Sequence, residues 1–195
     1  MSLPLLMLAL AAPAASPADL QPIQCHACEA WNAPQAPFRL HGESWYVGTR
    51  GLSAVLVATP EGLVLIDGGL PQSAPRIAEN IEALGHAMSD VRWLLNSHAH
   101  YDHAGGLAAL QRMSGAPVRA TPSAAVALRQ GASTDDDPQA GYRPGSDFPP
   151  VPEVREMQDG ESFELGGVRF TLHASPGHTP GGHTWTWRSC EGGDC

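Results

Sequence analysis

Four side chains able to bind a metal, His98, His100, Asp102 and His103, fall within six positions of the run Ser97-His98-Ala99-His100-Tyr101-Asp102-His103-Ala104-Gly105-Gly106. Core packing does not call for such a density of imidazoles. Imidazole together with carboxylate suits a borderline divalent ion, with zinc the leading choice. The carboxylate indicates the kind of site. Structural zinc is usually closed by Cys and His, whereas His with Asp or Glu and an open coordination position is the catalytic arrangement. The plainer alternative is a His-rich surface loop, but such a tract is itself a compositional signal for metal.

The flanking residues say how the run is held. Val91 to Leu95 is a short apolar stretch and reads as a buried strand. After Gly105-Gly106, apolar residues at Leu107, Leu110 and Met113 recur at helical spacing. The run therefore sits on a loop after a strand and before a helix, where rigid sheets hold functional loops. Neighbouring side chains on one loop cannot all face one ion, so further ligands must come from elsewhere. His178, in Ala174-Ser175-Pro176-Gly177-His178-Thr179-Pro180-Gly181-Gly182, is the best candidate. It follows a second strand pattern, Val168 to Leu172, and Pro and Gly on both sides shape a defined turn.

The pattern His-x-His-x-Asp-His-x-Gly-Gly followed by Pro-Gly-His-Thr-x-Gly-Gly resembles the metallo-β-lactamase superfamily, which also includes glyoxalase II-like thioesterases and lactonases. Two further stretches narrow the resemblance. Pro37 to Thr49 with Gly51-Leu52-Ser53-Ala54 is similar to the opening of the subclass B3 metallo-β-lactamases. Ser175 to Gly182 with Trp185-Thr186-Trp187-Arg188-Ser189-Cys190 is similar to their middle section. The resemblance runs from about Trp31 to Cys195. It implies an α/β (α+β layered) fold, the αββα sandwich of this superfamily, with its second half incomplete.

The resemblance also implies the site. His98, His100 and His178 would bind a first zinc. Asp102 and His103 would bind a second, completed in the family by a His far downstream. No residue after Cys195 supplies that third ligand, and His183 is the one nearby spare. It lies five residues from His178, where the family carries a small hydroxyl residue, and reads better as a strand or rim histidine than as a ligand. Asp67, at a strand end before Gly68-Gly69, would support the metal loop from behind by hydrogen bonding; a turn residue is the equal alternative. Cys190 and Cys195 would pair across a turn, as in similar proteins.

The chain ends where a hairpin should return. A missing partner strand would leave an unpaired, partly apolar edge, so a truncated reading frame or a partial sequence is expected. The domain organisation is a signal peptide over 1–18, an N-terminal segment over 19–36, and a metallo-β-lactamase domain over 37–195 lacking its C-terminal part. Leu3 to Ala12 is apolar but too short to span a membrane, and small residues follow it. No basic residue precedes it, so a buried N-terminal helix is the alternative. Export predicts a periplasmic or secreted location, where disulfides persist. Cys25 and Cys28 stand as Cys-x-x-Cys outside any βαβ context; they pair with each other or with cysteines beyond Cys195.

A formal charge of −9, with all 11 basic residues arginine, argues against a nucleic-acid partner. No stretch is long enough for a membrane span, and no protein partner is implied. Ser44–Val47, Ser53–Thr59 and Gly62–Asp67 read as successive strands, and Ala74, Ile77, Ala78, Ile81 and Leu84 as a helical stripe. Residues 131–150 form a long loop, a length often tied to function. Its triplet Asp135-Asp136-Asp137 is expected to be solvated.

The chemistry implied is hydrolysis. Zinc lowers the pKa of a bound water from ~15.7 toward ~7, giving a hydroxide to attack the strained lactam carbonyl. Asp102 takes the catalytic role of holding the second zinc. No nucleophilic Gly-x-Ser-x-Gly is present or required. The substrate is a small molecule, a β-lactam of the penicillin, cephalosporin or carbapenem type, and the outcome antibiotic resistance. The alternatives are a thioesterase or lactonase of the same fold, and an inactive zinc-binding remnant.

Overall fold

The computed structural model describes residues 15–195, so most of the expected signal peptide lies outside the described residues. The segment that follows is built into the fold. A 3-10 turn at Pro17–Leu20 is capped by Ser16, and buried Asp19 pairs with Arg112. The short helix α1 (Cys28–Trp31) is tied to the preceding chain by a Cys25–Cys28 disulfide. Of the two pairings open for these cysteines, the structure shows the local one.

The chain then makes an antiparallel meander: β1 (Phe38–His41), β2 (Ser44–Tyr46), β3 (Val55–Thr59) and β4 (Gly62–Ile66). From β4 onward three helical crossovers keep adding parallel strands. Helix α2 (Ala74–Ala83) leads to β5 (Val91–Leu95). The turn α3 (Tyr101–Ala104) and helix α4 (Leu107–Ser114) lead to β6 (Val118–Ala120). Helix α5 (Pro122–Gln130) leads to β7 (Val154–Glu156). The seven strands lie side by side in chain order. Strands β8 (Ser162–Leu165), β9 (Val168–Ala174) and β10 (His183–Thr186) form a second, antiparallel sheet in the order β10-β9-β8.

Alternation along the central strands explains the layering, since successive side chains point to opposite faces. Leu56, Leu63, Leu65 and Leu94 join the helix-side core with Ile77, Ile81, Leu107, Leu110 and Leu128. Their neighbours Val57, Val64 and Leu95 face Phe170, Leu172 and Trp185 of the second sheet. Both faces of the large sheet are buried, which is why these strands are apolar runs. Each fully buried Leu or Phe stabilises this arrangement by ~1.5–3 kcal/mol.

The order is that of the layered α/β sandwich expected. Helices cover one face of the first sheet, the second sheet covers the other, and no helix follows β7 among the described residues. β10 pairs with β9 on one side alone among those residues. All three expected strands prove shorter, β2 ending at Tyr46, β3 starting at Val55 and β4 ending at Ile66; between β2 and β3 the chain turns back through Val47 N–H to Ala54 O and Thr49 N–H to Leu52 O.

The parallel strands β4, β5 and β6 end at the same edge of the sheet. Loops from those ends, and the loop between β9 and β10, meet there. The glycines of the metal-type run are explained by this crowding. A Cβ on Gly106 would fall 2.2 Å from the carbonyl oxygen of Gly68. Gly68 N–H in turn donates to His103 O (2.8 Å), and Gly106 N–H to Gly69 O (3.1 Å). Only backbone without a side chain allows the loop after β4 to seat against the α3–α4 junction.

Candidate metal centre

The ligand loop leaves β5 at Leu95 and is fastened before it reaches the histidines. Asn96 Nδ2 donates to His98 O (2.7 Å), Trp185 Nε1 donates to Asn96 O (2.8 Å), and His183 N–H donates to Ser97 O (2.9 Å). The second sheet thus clamps the loop. His98 and His100 lie on the loop, with His100 as N-cap of α3; Asp102 and His103 occupy its single turn. A carboxylate in a first helical turn is favourably placed against the exposed N–H groups.

His98, His100 and His178 converge. One nitrogen of each lies within 4.8 Å of the others. His100 Nδ1 and His178 Nε2 are 3.2 Å apart, and the three rings meet edge-on with centroids 4.8 to 5.1 Å apart. His98 Nε2 is buried with no hydrogen-bond partner. Burial, and next the nearby His103, push the His98 pKa down to about 3, so its ring is neutral and its lone pair free. A neutral His98 ring, three converging imidazole nitrogens and an orphaned buried nitrogen on His98 fit a divalent cation. His178 reaches the group from the loop after β9 and is exposed, whereas His100 is buried.

Asp102, His103 and His98 form a second such group, also within 4.8 Å. His103 Nε2 lies 3.7 Å from Asp102 Oδ2. His98 therefore belongs to both groups, a sharing that the sequence did not suggest. His183 belongs to neither. Its Nδ1–H donates to Gly181 O (2.8 Å), it stacks edge-on against Trp185, and it is buried at the start of β10.

Asp67 sits behind the loop and combines the two roles weighed for it. It is a turn residue, with a left-handed φ of 62°, and it is also a buried acceptor. Ser97 N–H (2.8 Å), Ser97 Oγ–H (2.6 Å) and His103 Nδ1–H (2.9 Å) all donate to its carboxylate. Burial raises its pKa, but the bonds and charge from His103 and Ser97 prevail and hold it below the usual carboxylate range. Burial likewise opposes the charge on His103, yet Asp67 and then Asp102 raise its pKa overall. With Nδ1 committed to Asp67, His103 turns Nε2 toward Asp102.

One expectation is corrected. Asp135 and Asp136 are exposed, but Asp137 is buried rather than solvated. Its carboxylate oxygens lie 3.1 and 3.2 Å from His100 Nε2. Nothing local in the sequence separates Asp137 from its two acidic neighbours; its partner is 37 residues away. Thr121 was likewise not singled out. It accepts from Ala124 N–H as the N-cap of α5 and donates to Gly181 O (2.8 Å), anchoring the loop that carries His178. Cys190 and Cys195 form the second disulfide, across a turn bridged by Glu191 and Asp194.

The profile of the Metallo-beta-lactamase superfamily matches residues 47–191. The chain belongs to the metallo-β-lactamase superfamily. Among solved structures, this metallo-β-lactamase fold is similar to the Rm3 metallo-beta-lactamase, at 57% identity and a TM-score of 0.83 over 87% of this chain and 62% of that one. It is also similar to a B3 metallo-beta-lactamase with an active-site glutamic acid, at 46% identity and a TM-score of 0.86 over 90% and 65%. Among curated proteins it is similar to a hydroxyacylglutathione hydrolase of Anaeromyxobacter dehalogenans (strain 2CP-C), 33% identical over 68% of this chain and 40% of the relative. An N-acyl homoserine lactonase of a Bacillus sp is 27% identical over 65% and 54%. The chain therefore spans 40 to 65% of the length of these four proteins.

Proposed function

We propose that this chain is the zinc-binding part of an exported hydrolase that opens the ring of β-lactam antibiotics. The observation that carries the reading is the convergence of His98, His100 and His178 on a scaffold 57% identical to a metallo-β-lactamase. Zinc bound there would supply a Lewis acid and a water of lowered pKa. His98, His100 and His178 would hold that ion and leave one position open. Asp102 and His103 would hold a second beside it, with His103 kept in register by Asp67. The seating of the loops against α4 and β10 keeps these groups in place before substrate arrives, so little reorganisation remains for the reaction. The local Cys25–Cys28 and Cys190–Cys195 disulfides support an oxidising compartment, and so export.

The curated relatives support a second reading, a thioesterase or lactonase on the same scaffold. Substrates separate the two. The zinc-supplemented chain is assayed with a chromogenic cephalosporin, a carbapenem, a glutathione thioester and an acyl-homoserine lactone. We expect lactam hydrolysis that is abolished in His178→Ala. Turnover of the thioester or lactone without lactam turnover would overturn the β-lactamase reading.

A further inference from the structure

Asp137 is an ionisable group placed where ionisable groups are costly. Its side chain is 4% exposed and His100's is 3%. A buried carboxylate persists only when its oxygens are bonded, and both are used. Gln139 N–H donates to Oδ1 (2.7 Å), and His100 Nε2 lies against both oxygens. A ring nitrogen set against two carboxylate oxygens is placed to donate, so the geometry puts the proton of His100 on Nε2. The lone pair then falls on Nδ1, the atom that faces His178.

We propose that Asp137 is a positioning residue for the metal centre, and that through it the loop of residues 131–150 is coupled to metal binding. This rests on the reading of the histidine trio as a metal site. The carboxylate selects the tautomer of His100 that presents Nδ1 to an ion and holds the ring in plane. A cation at Nδ1 makes Nε2–H a stronger donor, which tightens the bond to Asp137. Asp137 begins the turn that runs through Gln139 to Tyr142. Gln139, Tyr142, Gly145 and Ser146 line, with Tyr101, a cavity of about 340 Å³ beside the ligand loop. Metal binding and the order of that wall therefore favour one another.

The test compares the full chain with Asp137→Asn, Asp137→Ala and, as control, Asp135→Asn, whose side chain is fully exposed. Zinc affinity is measured by competition with a chromophoric chelator, and ligand geometry by the visible spectrum of the cobalt-substituted protein. Proteolysis within 131–150 is timed with zinc and with chelator. Asn keeps an acceptor for Gln139 N–H but loses the charge and sets an N–H donor beside His100. We expect Asp137→Asn to bind zinc ~10–100-fold more weakly. It should also show an altered cobalt spectrum and lose the slowing of proteolysis by zinc, while Asp135→Asn behaves as the parent. A folded Asp137→Asn with parental affinity and spectrum would overturn the proposal. Unfolding of both Asp137 variants would overturn it too, by making Asp137 a residue of the fold. Absence of zinc binding by the parent chain would instead remove the metal reading itself.

Discussion

Asp67 accepts four hydrogen bonds, from Asn96 Nδ2–H, Ser97 N–H, Ser97 Oγ–H and His103 Nδ1–H, in a backbone conformation that side chains rarely adopt. Two separate requirements meet in one residue, and they can be pulled apart by substitution. Asn tolerates the left-handed region and retains one acceptor oxygen. Ala meets neither requirement and strands the half-buried Ser97 donors and the buried Asn96 amide. Stranding a buried donor costs ~1–3 kcal/mol, so Asp67→Ala should be destabilised by about that much or more, and Asp67→Asn by less, in urea unfolding of the metal-free protein. At the site itself, Asp102→Ala removes a ligand from the second group while leaving His98, His100 and His178 in place. It should retain one tightly bound zinc per chain and lose any second, as read by metal analysis after dialysis. Loss of all zinc in that variant would mean that the two groups act as one site.

Among the elements, the loop carrying His178 closes on itself through Ser175 N–H to Gly182 O and Gly177 N–H to Thr179 O. It is exposed from Ser175 to His178 and docks on helix α5. Thr121 caps that helix and bonds Gly181 O with one hydroxyl. A Cβ on Gly181 would lie 2.3 Å from Ala124 N, at the same junction. Thr121→Val should therefore lose the ~1 kcal/mol typical of an N-cap and weaken zinc binding at the same time. Gly181→Ala should push the loop away and weaken zinc binding further. Gly141→Ala, where nothing lies within 4 Å, should change neither zinc affinity nor the urea midpoint. Equal zinc affinity in Gly181→Ala and the parent would show that His178 is not held through α5.

For the whole molecule, the candidate centre joins parts that are distant in sequence. His98 and His100 follow β5, His178 follows β9, and Asp137 comes from the loop after α5. An ion bound across them adds stability only to the folded state. At a free zinc concentration 100-fold above Kd that addition is ~2.7 kcal/mol. For a chain of this size each kcal/mol raises Tm by ~2–4 °C, so zinc should raise Tm by roughly 5–11 °C and a chelator should reverse it. The rise should be absent in His98→Ala, whose imidazole belongs to both groups. A rise of the same size in that variant would place the stabilising ion elsewhere.

Local pattern made much of this legible. Val91–Leu95 is a strand with the residue limits expected, and Ala74–Ala83 and Leu107–Ser114 are helices where periodicity placed them. The density of His98, His100, Asp102 and His103 on one short run announced metal chemistry, because ligand type and spacing are properties of the chain itself. What the chain could not announce were contacts made across it. Asp137 reads like Asp135 and Asp136 until the loop folds back onto His100, and Thr121 reads as a helix cap until Gly181 arrives beside it. The sharing of His98 between two groups, and the burial of His183 under Trp185, depend on how the second sheet sits over the first. The sequence by itself determined which atoms could hold a metal and which strands and helices would carry them. Only the tertiary structure decided which of those atoms converge and which carboxylates stand behind them, since hydrogen bonds and ligand distances depend on separation in space and not along the chain.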